Sequence, residues 1–214
     1  MIGRIVIDDI RPRTPTRAYP AKAVVGEAVR VTADIFRDGH DILAARVCWR
    51  PTAQGAGGSG APTWSVAPMR HLGNDRWEGV IEPQVVGLHD LVVEAWTDRL
   101  ATWRHRVSVK REVGDDLSVE LEEGARLLEE QAVHVDQGVR TAGRDAAADL
   151  RGAADALRAP RLPVERRLAP AFDDQVTELM AGPGTSPDRT RAESVPLWVD
   201  RRRALVGAWY ELFP

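Results

Sequence analysis

Hydrophobic positions alternate along the first half of this chain and recur at helical steps along the second. Arg4–Ile10 is a short β-branched run that stops at Arg11-Pro12. Val29, Val31, Ala33 and Ile35 alternate with Arg30, Thr32 and Asp34, the period of a half-buried strand. Ile42–Arg50 is more continuously apolar and ends at Pro51. Trp64–Met69 and Arg76–Glu82 flank Gly73-Asn74-Asp75, residues that accept the positive φ of tight turns. Leu91, Val93 and Ala95 lie on one face of a further strand, with Trp96 in the opposite phase. Beyond the polar corner Thr97-Asp98-Arg99, Trp103, His105, Val107 and Val109 alternate with Arg104, Arg106 and Ser108, which predicts a last strand. About seven short strands with turn signals between them predict an immunoglobulin-like β-sandwich over residues 1–112. Gln54–Ala61 is almost all Gly, Ala and Ser and reads as a mobile hairpin tip.

From Asp115 the period changes. Leu121, Ala125, Leu128, Ala132, Val135, Val139, Ala142 and Ala146 recur at steps of four and three, a sustained helical stripe. Asp116 or Ser118 can cap its start, and Glu120, Glu122 and Glu123 suit the positive end of its dipole. The stripe continues through Leu150, Ala153 and Leu157, with a break near Gly143, until Pro160 and Pro163 end it. A second helical stretch carries Val164 and Leu168 before Pro170, then Phe172, Val176 and Leu179. These elements predict an α-helical bundle over residues 113–192. Residues 193–214 read as a strand, Ser194–Val199, and a final helix, Arg201–Phe213. The fold class expected is therefore mainly β plus α.

Composition sharpens the division. Residues 1–110 carry 15 basic and 12 acidic side chains, and residues 111–214 carry 14 and 20, so the halves differ in sign at +3 and −6. Five of the seven tryptophans fall in the first half. A net charge of −3 gives no general pull toward nucleic acid or an anionic membrane, and neither is expected as a partner. No apolar run approaches the roughly 20 residues needed to span a bilayer, and no secretory leader is expected. The expected location is cytoplasmic. Cys48, the single cysteine, sits in the apolar run Ala44–Trp49 and reads as a small buried core residue.

Candidate chemistry is sparse. His40 and Asp41 follow Asp38-Gly39, but an Asp-Gly turn accounts for them, and no second cluster with metal-ligand spacing appears. His71, His89 and His105 lie on separate predicted strands or turns and read as surface or strand-end residues; His134 falls on the polar side of its helix. Trp64, Trp77, Trp96 and Trp103 invite a sugar-stacking role, yet tryptophans in such sandwiches usually fill the core or its rim. Arg201-Arg202-Arg203 reads as a solvated helix start or a salt bridge to the acidic helix. No residue qualifies as catalytic, cofactor-binding or metal-ligating, and no cofactor is expected.

Five stretches taken together say more. They are Asp38-Gly39-His40-Asp41-Ile42-Leu43-Ala44-Ala45, His71-Leu72-Gly73-Asn74-Asp75-Arg76-Trp77, Glu94-Ala95-Trp96-Thr97-Asp98-Arg99-Leu100-Ala101-Thr102-Trp103-Arg104, Val199-Asp200-Arg201, and Ala208-Trp209-Tyr210-Glu211-Leu212-Phe213-Pro214. In this order and spacing the set closely resembles the N-terminal part of actinobacterial α-1,4-glucan:maltose-1-phosphate maltosyltransferases, large enzymes of the α-amylase clan. The resemblance runs from Arg4 to Pro214; only the glycine-rich 54–61 hairpin is longer than the family's. It implies a sandwich and a bundle associated with a homodimer, the bundle lying close to an active site. The family's complete enzyme transfers maltosyl from α-maltose 1-phosphate to the non-reducing end of a 1,4-glucan with retention. That chemistry needs two carboxylates about 5 Å apart on a (β/α)8 barrel of about 200 residues or more, which this chain does not include. Asp98, Asp200 and Glu211 match stretches that precede the family's catalytic motifs and take no catalytic role. The expectation is an accessory and dimerisation region, inactive alone, that meets α-glucan acceptor at most through part of its surface. An autonomous glucan-binding module and a purely structural dimerisation module are the alternatives.

Overall fold

A computed structural model of the chain describes residues 5–52, 63–138, 145–184 and 186–206. The expected hairpin tip at 54–61, the helix break near Gly143 and most of the final helix lie outside these residues. Mixed α and β structure divides into two compact units. One comprises the described residues of 1–38, 44–96 and 188–214; the other those of 39–43 and 97–187.

The first unit is a curled, mixed sheet. Its strands are β1 (Ile5–Arg11), β2 (Ala21–Val24), β3 (Val29–Arg37), β4 (Leu43–Pro51), β5 (Ser65–Gly73), β6 (Arg76–Ile81), β7 (Gly87–Thr97), β8 (Thr190–Arg191) and β9 (Val195–Asp200). They run in the order β1-β3-β6-β5-β4-β7-β9-β2, with β8 also on β7. β5 carries the curl. Its first half, Ser65–Met69, pairs with Trp49–Ala45 of β4, and its second half, from Arg70, pairs with β6. The turn between β5 and β6 holds Gly73, Asn74 and Asp75 at φ of 100°, 49° and 62°, the conformation their sequence favours. Gly79 faces the bend: an added Cβ would lie 3.0–3.1 Å from Met69, the Pro68 carbonyl and Val47. The strand expected at Ser194–Val199 is β9, antiparallel to β7 and parallel to β2.

The second unit holds α1 (Arg99–Glu112), α2 (Ser118–Gly138), α3 (Ala146–Arg158), α4 (Val164–Leu168) and α5 (Asp174–Met180). α1 corrects the sequence reading, because residues 99–112 were expected to hold the last strand of the sandwich. Asp98 is its N-cap, with the carboxylate accepting the Ala101 N–H at 2.8 Å. Leu100, Trp103 and Val107 are its buried residues, at steps of three and four. Val109, on the same face as Trp103 and Val107 in the strand reading, is exposed, and so is His105, as its surface reading required. The Trp103 N–H donates to the Glu120 carbonyl at 2.7 Å, and its indole lies over Gly124.

The α2 stripe matches expectation: Leu121, Ala125, Leu128 and Ala132 are buried. Leu150, Ala153 and Leu157 of α3 join the same core, with Leu168, Ala171 and Val176 behind them. Asp116 accepts the backbone N–H and hydroxyl of Ser118, and Asp145 caps α3 through Ala148. Arg158 of α3 reaches Glu122 at 2.8 Å and also pairs with Glu129, tying α3 to α2. Arg104 donates to the Ala171 carbonyl at 2.7 and 2.9 Å, satisfying backbone that a short helical turn leaves unpaired.

Candidate functional site

β7 is buried on both faces, and the side chain that makes this costly is Glu94, only 1% exposed. Arg46 from β4 donates to it at 2.8 Å, Arg189 at 2.6 Å and Arg191 of β8 at 3.3 Å. Burial raises the pKa of this carboxyl, but hydrogen bonds from Arg189 and Arg46 outweigh burial and hold it below its ordinary value. A lone glutamate inside Leu91–Ala95 and a lone arginine inside Ile42–Trp49 were the sequence signals for this knot. Cys48 is buried, and burial followed by the nearby Glu94 pushes its thiol up, so it remains a neutral core residue.

The tryptophans divide by environment. Trp77, Trp96 and Trp103 are buried. Trp77 donates to the Ile35 carbonyl and meets the His71 ring in a tilted contact, centroids 5.1 Å apart. Trp96 lies on the Glu94 side of β7, opposite in phase to Ala95, with the Arg46 guanidinium 5.8 Å from its ring. Trp64 is taken up by two guanidiniums, Arg50 at 4.4 Å and Arg191 at 4.6 Å. Trp198 on β9 is 40% exposed, between Lys22 and Leu88 in register.

The histidines form no constellation. His40, His71, His105 and His134 are exposed. His89, expected at a surface or strand end, is instead 1% exposed, with Nδ1 3.0 Å from the Gly87 carbonyl. No group of three or more His, Cys, Asp or Glu could hold a metal among the described residues. Asp98 is spent on its helix cap, and Asp200 accepts the Arg201 N–H. Arg201, Arg202 and Arg203 are exposed and form no ion pair among the described residues. Glu211 lies outside them.

Two clefts remain. One, about 520 Å³, belongs to the helical unit and is lined by Arg99, Arg106, Glu123 and Glu130 among others. Its charges are already matched, Arg99 with Glu130 at 2.8 Å and Arg106 with Glu123 at 2.9 Å. The other, about 360 Å³, lies in the sheet unit between β1, the β1–β2 connection and residues 192–196. Asp9 anchors it, gripped by Arg13 at 2.7 Å, Arg11 at 2.9 Å and Arg76 at 3.1 Å. Arg11 first, and Arg76 after it, hold the Asp9 carboxyl below its ordinary value. Asp8, Arg17, Tyr19 and Glu193 also line it. Sequence reading passed over all four; the only signal was a Thr/Pro/Arg-rich connection, Arg13–Pro20, too long for a hairpin.

Comparison with known proteins agrees with the motif set. A family model described as alpha-1,4-glucan:maltose-1-phosphate maltosyltransferase, domain N/S, matches residues 3–201, and the chain belongs to this family. It is 40% identical over 214 residues to alpha-1,4-glucan:maltose-1-phosphate maltosyltransferase 1 of Streptomyces coelicolor, covering 100% of this chain and 30% of that protein. Identity to the Corynebacterium glutamicum maltosyltransferase is 39% over 225 residues, covering 100% and 31%. For the Mycobacterium tuberculosis enzyme it is 37% over 232 residues, covering 99% and 32%. The chain thus spans about 30% of the length of these relatives, matching their N-terminal part. Among the described residues, no helix is long and apolar enough to cross a membrane.

Proposed function

We propose that this chain serves as the N-terminal accessory region of a maltosyltransferase that moves maltosyl from α-maltose 1-phosphate onto an α-1,4-glucan. The observation that carries the reading is identity near 40% along the whole chain to the first third of such enzymes. In this reading the sheet unit is an immunoglobulin-like sandwich, its two layers joined through β5, and the helices form a bundle. The region supports the enzyme without performing transfer; its carboxylates Asp98, Glu94 and Glu122 are committed to a helix cap and to ion pairs. It also contributes to a homodimer. Exposed Val119 and Val133 on α2 and Trp198 on β9 are apolar surface of the kind that subunit contacts cover.

A chimera tests this. The chain replaces the matching segment of the Streptomyces coelicolor enzyme, and phosphate release from maltose 1-phosphate is measured with a maltooligosaccharide acceptor. The chimera should transfer and run as a dimer in light scattering, while the 214-residue chain alone should release no phosphate. A chimera that melts like the parent enzyme but is inert overturns the proposal. So does activity of the chain alone that survives repurification.

A further inference from the structure

We propose that the cleft beside Asp9 is a glucan-holding subsite, which takes a short segment of neutral α-1,4-linked oligosaccharide. Its volume of about 360 Å³ falls in the range of small-ligand sites, about 300–1,000 Å³. Its polar groups select against ions. Asp9 is already engaged by three arginines, Arg76 being shared with Asp34, so its charge is not offered to a ligand. What remains is a carboxylate from Asp8, a carboxylate from Glu193 and the guanidinium of Arg17. Arg17 and Glu193 have no side-chain hydrogen bond or ion pair among the described residues, and Asp8 spends one oxygen on the Asp9 N–H. An anion would face two carboxylates; a cation would face Arg17. A polyol satisfies both, because each hydroxyl can donate to a carboxylate and accept from a guanidinium.

The fourth element is aromatic. Tyr19 stands at the rim, 74% exposed, while its own carbonyl is held by the Thr14 hydroxyl at 2.7 Å. The backbone at the rim is therefore fixed while the ring is free, and the CH-rich face of a sugar packs on such a ring. Asp9 and Arg17 are non-glycine residues at φ of 43° and 56°. Surrounding structure must hold such conformations, and they gather at ligand clamps. An open cleft of this kind suits an internal stretch of polymer as well as a chain end.

The choice of an α-1,4 linkage rests on the maltosyltransferase reading above; the choice of a neutral saccharide rests on the cleft alone. The test is calorimetric titration of the full chain with maltotetraose, cellotetraose and inorganic phosphate, repeated on Tyr19→Ala and Arg17→Ala. Both variants remove exposed side chains, and thermal melts confirm that they fold. The expected result is saturable binding of maltotetraose, no binding of phosphate or cellotetraose, and affinity weakened about tenfold or more in each variant. Absence of saturable binding overturns the proposal. So does binding unchanged in both variants, or equal binding of cellotetraose or phosphate. A chain that ignores maltotetraose yet restores transfer in the chimera removes this subsite and leaves the maltosyltransferase reading standing.

Discussion

Gly124→Ala should destabilise this protein although alanine is the better helix former. In an ordinary helix interior the change gains about 0.5–1 kcal/mol. At Gly124 the added Cβ would lie 2.3 Å from Cζ2, 2.4 Å from Cε2 and 2.8 Å from Nε1 of Trp103. Carbon atoms rest about 3.5–4.0 Å apart, so the indole must retreat by about 1 Å or more. It has little room to do so. Trp103 is 2% exposed, and its N–H is fixed on the Glu120 carbonyl at 2.7 Å. Overpacking costs about 1–3 kcal/mol, and a weakened buried hydrogen bond adds about 1 kcal/mol. After the helix gain is subtracted, a net loss of about 1–3 kcal/mol remains. For a chain of this size that lowers Tm by about 3–10 °C.

The decisive control is Trp103→Ala. Alone it should cost about 3–5 kcal/mol, but in that background Gly124→Ala should become stabilising, because the obstructing ring is gone. The coupling between the two sites is then about 2–3 kcal/mol. Urea titrations of all four variants, followed by the far-UV helical signal, measure it. Should Trp103→Ala leave too little folded protein, Trp103→Phe serves, since its smaller ring lacks the indole atoms nearest Gly124. An unchanged or raised midpoint for Gly124→Ala in the parent background would refute the contact, and with it the packing of α1 on α2.

Acid stability reports the α2–α3 ties. Hydrogen bonds from Arg158 and then Arg126 lower the Glu122 pKa from 4.5 to about 2. A carboxyl depressed in the folded state contributes fully above its unfolded pKa and loses that contribution as pH falls through the folded one. Melts of the parent should therefore weaken between about pH 4.5 and 2, and Arg158→Gln should flatten that decline; equal slopes would refute the link. Glu94→Gln leaves Arg46, Arg189 and Arg191 without their shared carboxylate and should cost about 1–3 kcal/mol, read as a lower urea midpoint. Arg189→Ala, at a side chain 42% exposed, should cost under about 1 kcal/mol; parity between these two variants would show that Glu94 is not the centre of the knot.

Periodicity alone identified most of these elements. Val31, Ala33 and Ile35, or Leu121, Ala125 and Leu128, announce which face is buried, because one-sided burial imposes a period of two on strands and near 3.6 on helices. The Gly73-Asn74-Asp75 turn was equally legible, since its backbone demand is local. The ordered motifs, read together, identified the family. Residues 99–112 show where such reading fails. Trp103 and Val107 fit both an alternating strand and a helix that also buries Leu100, and the local tiebreak is a single capping residue, Asp98. The tie is broken by partners elsewhere in the chain, the Glu120 carbonyl and the bare backbone at Gly124, together with the Asp98 cap. β2 went unseen because four residues carry little pattern; it exists through parallel pairing with β9, some 170 positions away. The cleft joins residues 7–21 to residues 192–196 in the same manner. The pattern along the chain marks which side chains must leave water. What covers them is set in three dimensions, because burial leaves its period in the segment that is buried and no record there of its partner.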